Sequence, residues 1–280
     1  MPLRALGVFL APAAAAAAAV LDCGDLPRYA LARSRDFFSL RMYSLWYIID
    51  NGADAVSVDA AWDIARLQRY VEKQGLKLVA GLYTHGHFDH IGGSVPGSPA
   101  SPLPGATELH RAKVPLFLGA GDIDAATLQT KLGADTWRPL KEGDTLSVLG
   151  DELPILVIDS PGHTIGGVTF WLRGTGPGVR AECAEGMLLT GDTLFLKNVG
   201  RTDLPGGDST TLLRSLSRLS ATPEGVQVLP GHSYDAPPRR STMGTVRSDC
   251  GMMRSAVAKF PPASLPPLPS HRIQTSSEEL

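Results

Sequence analysis

The sequence predicts an α/β fold, and three observations carry that prediction. Short runs rich in β-branched and aromatic residues alternate with segments of helical apolar spacing. Four of the short runs end in a Gly-containing turn, and each of those turns presents a His or an Asp. Strand ends are rigid platforms, and loops at their tips are where ligands converge.

In chain order, residues 41–49 (RMYSLWYII) read as a strand, Asp50-Asn51-Gly52 as a turn and residues 55–58 as a second strand, together a hairpin. Asp63 is placed to cap a helix running to about Glu72, with Ile64, Leu67 and Val71 on one face and Gly75 as its stop. Residues 76–83 form a buried strand that delivers the chain into Thr84-His85-Gly86-His87. Residues 94–105, dense in Pro, Gly and Ser, read as a surface loop. Residues 122–132 have helical character, capped by Asp122 or Asp124. Strands follow at 153–158, 168–172 and 187–189, then a helix at 209–219 with Leu212, Leu213, Leu216 and Leu219 inward. A last strand at 226–229 leads to Pro230-Gly231-His232, and from Pro261 the chain is Pro- and Ser-rich and expected to be disordered.

Bulk properties narrow the class without naming a partner. The 280 residues suffice for one large domain or two modest ones, and 43% hydrophobic against 19% charged residues is an ordinary globular balance. A net charge of −2 with scattered basic residues gives no basic stripe for nucleic acid. Cys23, Cys183 and Cys250 form no CxxC pair; they read as unrelated thiols, with a Cys183–Cys250 disulfide open in an oxidising compartment. Residues 1–22 carry one early Arg and then an alanine-dominated apolar stretch. That pattern fits a secretory signal better than a membrane anchor, with a low-complexity alanine tail as the alternative. The expected location is the secretory pathway or an organelle if the leader is used, and otherwise the cytoplasm.

The chemistry concentrates in Thr84-His85-Gly86-His87-Phe88-Asp89-His90, an HxHxDH run in a protein with only 7 His. Imidazole and carboxylate are the ligands expected for zinc, iron or manganese. Alternation along the turn lets His85 and His87 face one ion while Asp89 and His90 turn toward a second. His163, Asp192 and His232 are weak signals singly, as a structural hydrogen bonder or a turn residue, but each stands at a strand end in the same manner.

These residues resemble the metallo-β-lactamase superfamily, and within it the hydroxyacylglutathione hydrolase (glyoxalase II) type. The resemblance rests on THGHFDHIGG at 84–93, SPGHTIGG at 160–167, LTGDTLF at 189–195, GRTDLPGGD at 200–208 and PGHS at 230–233, and covers about 41–247. It implies an αβ/βα four-layer sandwich over 36–250, flanked by the leader at 1–22 and the tail at 261–280. It implies two divalent metal ions, zinc first and iron or manganese otherwise. His85, His87 and His163 would hold one, Asp89, His90 and His232 the other, and Asp192 would bridge them; Asp89 and Asp192 are the expected catalytic carboxylates. The implied activity is metal-dependent hydrolysis of small-molecule thioesters such as hydroxyacyl-glutathione, by attack of a metal-bridging hydroxide. A carboxylate at 192 argues against a true β-lactamase. The alternative of the same superfamily is a mononuclear iron persulfide dioxygenase using His85, His163 and Asp192. Arg201 and Asp203 would orient the ligand loops or form a surface salt bridge. No nucleic acid and no stable membrane anchor is expected.

Overall fold

The computed structural model describes residues 28–33, 43–94, 102–151, 153–173, 185–234 and 240–270. The leader 1–22, Cys23 and Cys183 lie outside them. Among the described residues no helix is long and apolar enough to cross a membrane.

Two six-stranded sheets form the centre. The first runs β1 (Arg28–Arg33), β2 (Tyr43–Asp50), β3 (Asp54–Val58), β4 (Lys77–Tyr83), β5 (Leu116–Gly119), β6 (Trp137–Leu140) in spatial order. Its first three strands are antiparallel and β3 to β6 are parallel, as strands joined by helical crossovers must be. The second runs β12 (Ser241–Thr242), β11 (Gln227–Pro230), β10 (Met187–Gly191), β9 (Val168–Leu172), β8 (Ile155–Asp159), β7 (Thr145–Leu146). Only β10 and β11 pair parallel there.

Alternation along each strand assigns the layers. Leu45, Tyr47 and Ile49 of β2 join Val157, Phe170 and Leu189 in a core between the sheets. Trp46 and Ile48, of opposite parity, pack under α1 (Ile64–Lys73) and α3 (Gly105–Arg111). Leu156, Trp171 and Leu188 pack under α5 (Ser209–Leu219), α6 (Met243–Asp249) and α7 (Gly251–Lys259). Sheets covered on both faces read as near-continuous apolar runs, which is the look of YSLWYII. The result is the αβ/βα four-layer sandwich.

Several local expectations change. Asp63 does not cap α1 with its side chain: it lies in the left-handed region at φ 52, and only its backbone carbonyl receives Arg66 N and Leu67 N. The segment read as loop from 94 gives way to structure at Leu103, which is buried and bridged to Gly93, and to α3 from Gly105. Strands β5 and β6, of 4 residues each, carry no distinguishable period and were not anticipated, nor were α6 and α7. Of the tail, residues 261–270 are described, and Arg218 donates to the carbonyls of Pro266 and Pro267; residues 271–280 lie outside the description. Cys250 is a buried free thiol.

The two sheets meet at one edge. Leu45 N donates to Gly231 O (2.7 Å) and Val168 N to Thr84 O (2.8 Å). At that edge β4, β8, β10 and β11 all end in the turns singled out above.

Candidate metal centre

Strand β4 ends at Tyr83, and Thr84 is fixed at once: its N–H and its hydroxyl both donate to the Asp59 carboxylate, each at 2.7 Å. The turn then closes into the single-turn helix α2 (Phe88–Ile91), where His90 N and Ile91 N donate to His87 O. This geometry buries His85, Asp89 and His90 toward one point, with His87 half-buried beside them. His163 follows Gly162, whose φ of 128 suits only glycine and whose missing side chain makes room for the Leu212 backbone. Asp192 follows β10 and His232 follows β11.

All seven residues come together. His87 Nδ1 lies 2.9 Å from His163 Nε2, and His90 Nε2 lies 3.1 Å from His232 Nε2. Asp192 reaches both groups, with Oδ2 at 3.6 Å from His163 Nε2 and 3.2 Å from His232 Nε2, and Oδ1 at 3.4 Å from His90 Nε2. Asp89 Oδ2 stands 3.3 Å from His232 Nε2.

The outer nitrogens explain which face each ring turns inward. His163 Nδ1 donates to the Arg201 carbonyl at 2.7 Å, leaving Nε2 for the site. His90 Nδ1 donates to Asp59 Oδ2 at 3.1 Å, and His85 Nδ1 meets Thr84 Oγ1 at 3.1 Å. Such contacts set tautomer and orientation at metal-binding histidines. Arg201 thus acts through its backbone, while its guanidinium forms an exposed pair with Asp203 at 2.6 Å; the expectation that these side chains orient the ligand loops gives way to the surface salt bridge.

Burial and charge sort the protonation states. Burial, with His90 next, holds His85 well below the usual imidazole range, and burial with His163 brings His87 down to about 4. For His232 burial acts the other way from its neighbours, but the Asp192 and Asp89 carboxylates outweigh it and push the ring up to about 10. Burial likewise opposes ionisation of Asp192, and the surrounding imidazoles, His232 first, hold it well below the carboxylate range.

The residues fit a cation. His85 Nε2 and Asp192 Oδ1, both turned into the cluster, are buried without a hydrogen-bond partner among the described residues. Orphaned buried polar atoms each cost about 1–3 kcal/mol, so a pair of them calls for a ligand. Three groupings bring their ligand atoms within 4.8 Å of one another: His85, His87 and His163; His85, His90 and Asp192; and Asp89, His90 and His232. The first and last share no residue, and Asp192 lies between them. The nitrogen and oxygen donors suit zinc, iron or manganese.

Three supporting residues were not singled out from sequence. Asp59 and Thr84 stand behind His90 and His85, and Asp122, read as a helix cap, has its carboxylate turned instead to the ligand turns. Beside the cluster, Tyr234 is exposed and stacks on the His232 ring (5.1 Å between centroids, 9° between planes), with Phe195 edge-on to it.

The profile of the metallo-beta-lactamase superfamily matches residues 41–232, from β2 to the last histidine of the cluster. The chain belongs to this superfamily. Its members are mostly metal-dependent hydrolases. A hydroxyacylglutathione hydrolase of Chromohalobacter salexigens is 28% identical over 190 residues, 68% of this chain and 62% of that protein. The chain therefore spans less than two thirds of that relative's length. A probable metallo-hydrolase of Bacillus subtilis, YqgX, is 28% identical over 66% of this chain and 83% of its own. Among solved structures, TTHA1623 in a di-iron-bound form superposes with a TM-score of 0.58 at 26% identity, covering 79% of this chain and 98% of that one. ETHE1 from Myxococcus xanthus shares the fold at 22% identity, with a TM-score of 0.59 over 83% of this chain and 91% of its own.

Proposed function

We propose that this protein is a two-ion metal-dependent thioesterase acting on small thioesters of the hydroxyacyl-glutathione class. The observation that carries the reading is the pair of three-residue groupings joined by Asp192. His85, His87 and His163 would hold one ion, Asp89, His90 and His232 the other, and Asp192 both. The hydrolase name of the Chromohalobacter relative and the di-iron form of TTHA1623 support it. When bound, the ions would supply an ionised water near neutral pH and polarise the thioester carbonyl.

The chain's own residues supply the rest. His85 and His87 are held neutral, so their lone pairs are ready for a cation with no proton to lose. Asp89 and Asp192 place two buried negative charges against it. The Arg201 carbonyl, Asp59 and Thr84 lock three imidazoles in the required orientation. A leaving thiolate is a weak base, with a thiol pKa of about 8.5, so the reaction asks for no buried proton donor.

The test is metal analysis of purified protein beside a thioester panel. Two ions per chain, hydrolysis of S-lactoylglutathione and loss of turnover with a chelator are the expected results. No turnover of S-lactoylglutathione with zinc, iron or manganese removes the substrate assignment. One iron per chain with oxygen uptake on glutathione persulfide would replace the reading by a persulfide dioxygenase.

A further inference from the structure

We propose that Asp122 is the positioning residue of the first ion site, holding the His85–His87 turn and the His163 turn in register; this rests on the two-ion reading above. Asp122 precedes α4 (Ile123–Thr130), where a capping role would be its ordinary use, yet its side chain makes no cap bond. The carboxylate is buried and turned the other way. Oδ2 accepts Gly86 N–H at 2.8 Å and Thr164 Oγ1–H at 2.7 Å, and Oδ1 accepts Gly166 N–H at 2.7 Å.

Those three donors lie on two separate turns. Gly86 stands between His85 and His87, and Thr164 follows His163 directly. One carboxylate therefore ties together the backbone that carries all three residues of the first grouping. The Gly86 peptide is held at its other end too, because Gln129 of α4 donates to Gly86 O at 2.5 Å. The fit is close: a Cβ on Gly166 would fall 2.3 Å from Asp122 N, and one on Gly86 3.1 Å from Asp122 Cβ. The consequence at the site is the 2.9 Å approach of His87 Nδ1 and His163 Nε2, from elements 76 residues apart. None of Asp122's hydrogen bonds reaches Asp89, His90 or His232; Asp59 bonds to His90 on that side. Asp59 serves both halves of the centre, His90 directly and His85 by way of Thr84, whereas the bonds of Asp122 are confined to the turns of the first half.

A buried carboxylate that accepts only neutral donors is costly, and an asparagine in its place cannot serve all three. Whichever way Asp122→Asn turns, its NH2 faces at least one N–H donor. The expected effect is that of losing a partner behind a metal site, a 10- to 100-fold weaker ion, roughly, confined to the first half.

The experiment measures zinc affinity by competition with a chromophoric chelator in four proteins: His232→Ala and His163→Ala, each with and without Asp122→Asn. In the His232→Ala background, where the first site remains, Asp122→Asn should weaken the ion 10- to 100-fold, roughly, as such outer partners do. In the His163→Ala background the remaining ion should be unchanged within about 2-fold, the wild-type scatter assumed for an uncoupled site. Thr164→Val, which deletes one of the three bonds, should give a smaller loss with the same selectivity and serves if Asp122→Asn does not fold. Equal losses in both backgrounds, or none in the first, overturn the proposal while leaving two ions on the wild-type protein. A wild-type chain that takes up no zinc overturns the two-ion reading and this inference together.

Discussion

Adding one methyl group at Gly231 should abolish ion binding while sparing the fold. Gly231 links the sheets through its carbonyl, which receives Leu45 N, and its own N–H donates to Gly191 O at 2.8 Å. A Cβ there would stand 2.5 Å from Asp192 Oδ1 and 2.7 Å from His90 Cε1. Carbon atoms pack at about 3.5 Å or more, so the His90 ring would have to retreat by about 0.8 Å. Metal–ligand distances tolerate about 0.2 Å, so a displacement of that size takes His90 and Asp192 out of coordination. The protein without metal pays only for overpacking, about 1–3 kcal/mol. For a chain of this size that lowers the melting temperature by roughly 2–12 °C. The assay is thermal melting of Gly231→Ala and wild type, chelated and with zinc. Zinc at 100 times its dissociation constant should stabilise the wild type by about 2.7 kcal/mol for each ion bound, and the variant by nothing measurable. A Gly231→Ala protein that keeps the full zinc-induced rise would refute the steric reasoning.

Asp192→Asn should sharply reduce metal content or turnover, because Asp192 reaches both ligand groups; elemental analysis and a thioester assay showing full loading and wild-type rate would contradict the bridging role. Phe170→Ala opens a void between the sheets, where Phe170 is fully buried, and should cost about 3–5 kcal/mol in urea unfolding. Zinc addition at pH 7 to metal-free protein should release about one proton from His232, read with an indicator in weak buffer. The sign follows from His232 being raised from 6.5 to about 10: its proton is held at pH 7, and the stability it contributes is complete below 6.5 and lost as pH rises through about 10. Proton release that does not fall as pH is raised toward 10 would show that His232 is not its source.

The sequence made the ligands legible because a metal cluster demands rare side chains at fixed places on the chain. Three histidines and an aspartate within 85–90 stand out by composition, and His163, Asp192 and His232 stand out because each follows an apolar run and a glycine. The central strands were legible for a related reason. With helices or a second sheet on both faces, YSLWYIID and VTFWL could be buried only as strands. By contrast, β5 and β6 are too short for any period to develop; β5 exists because β4 offers it a parallel neighbour, and β6 because β5 does. The C-terminal helices are similarly dependent: Met243, Val246, Met253 and Ala256 are buried only against α5 and the second sheet.

The supports behind the ligands were illegible for a deeper reason, which Asp59 and Asp122 illustrate. An aspartate at a strand end or before a helix is ordinary turn and cap chemistry, and nothing local separates that use from another. What distinguishes these two is the identity of their partners, and those partners are distant. Asp59 bonds to Thr84 and His90, and Asp122 to Gly86, Thr164 and Gly166, across 25 to 44 residues. Each of these bonds exists because β3, β4 and β8 end at one edge. The ligands advertise themselves by what they are, whereas the residues that aim them acquire their role only from where the fold sets them. Because the bonds of Asp122 stay on the turns of the first group while Asp59 serves both, a change at Asp122 should weaken one half of the centre and a change at Asp59 should weaken both.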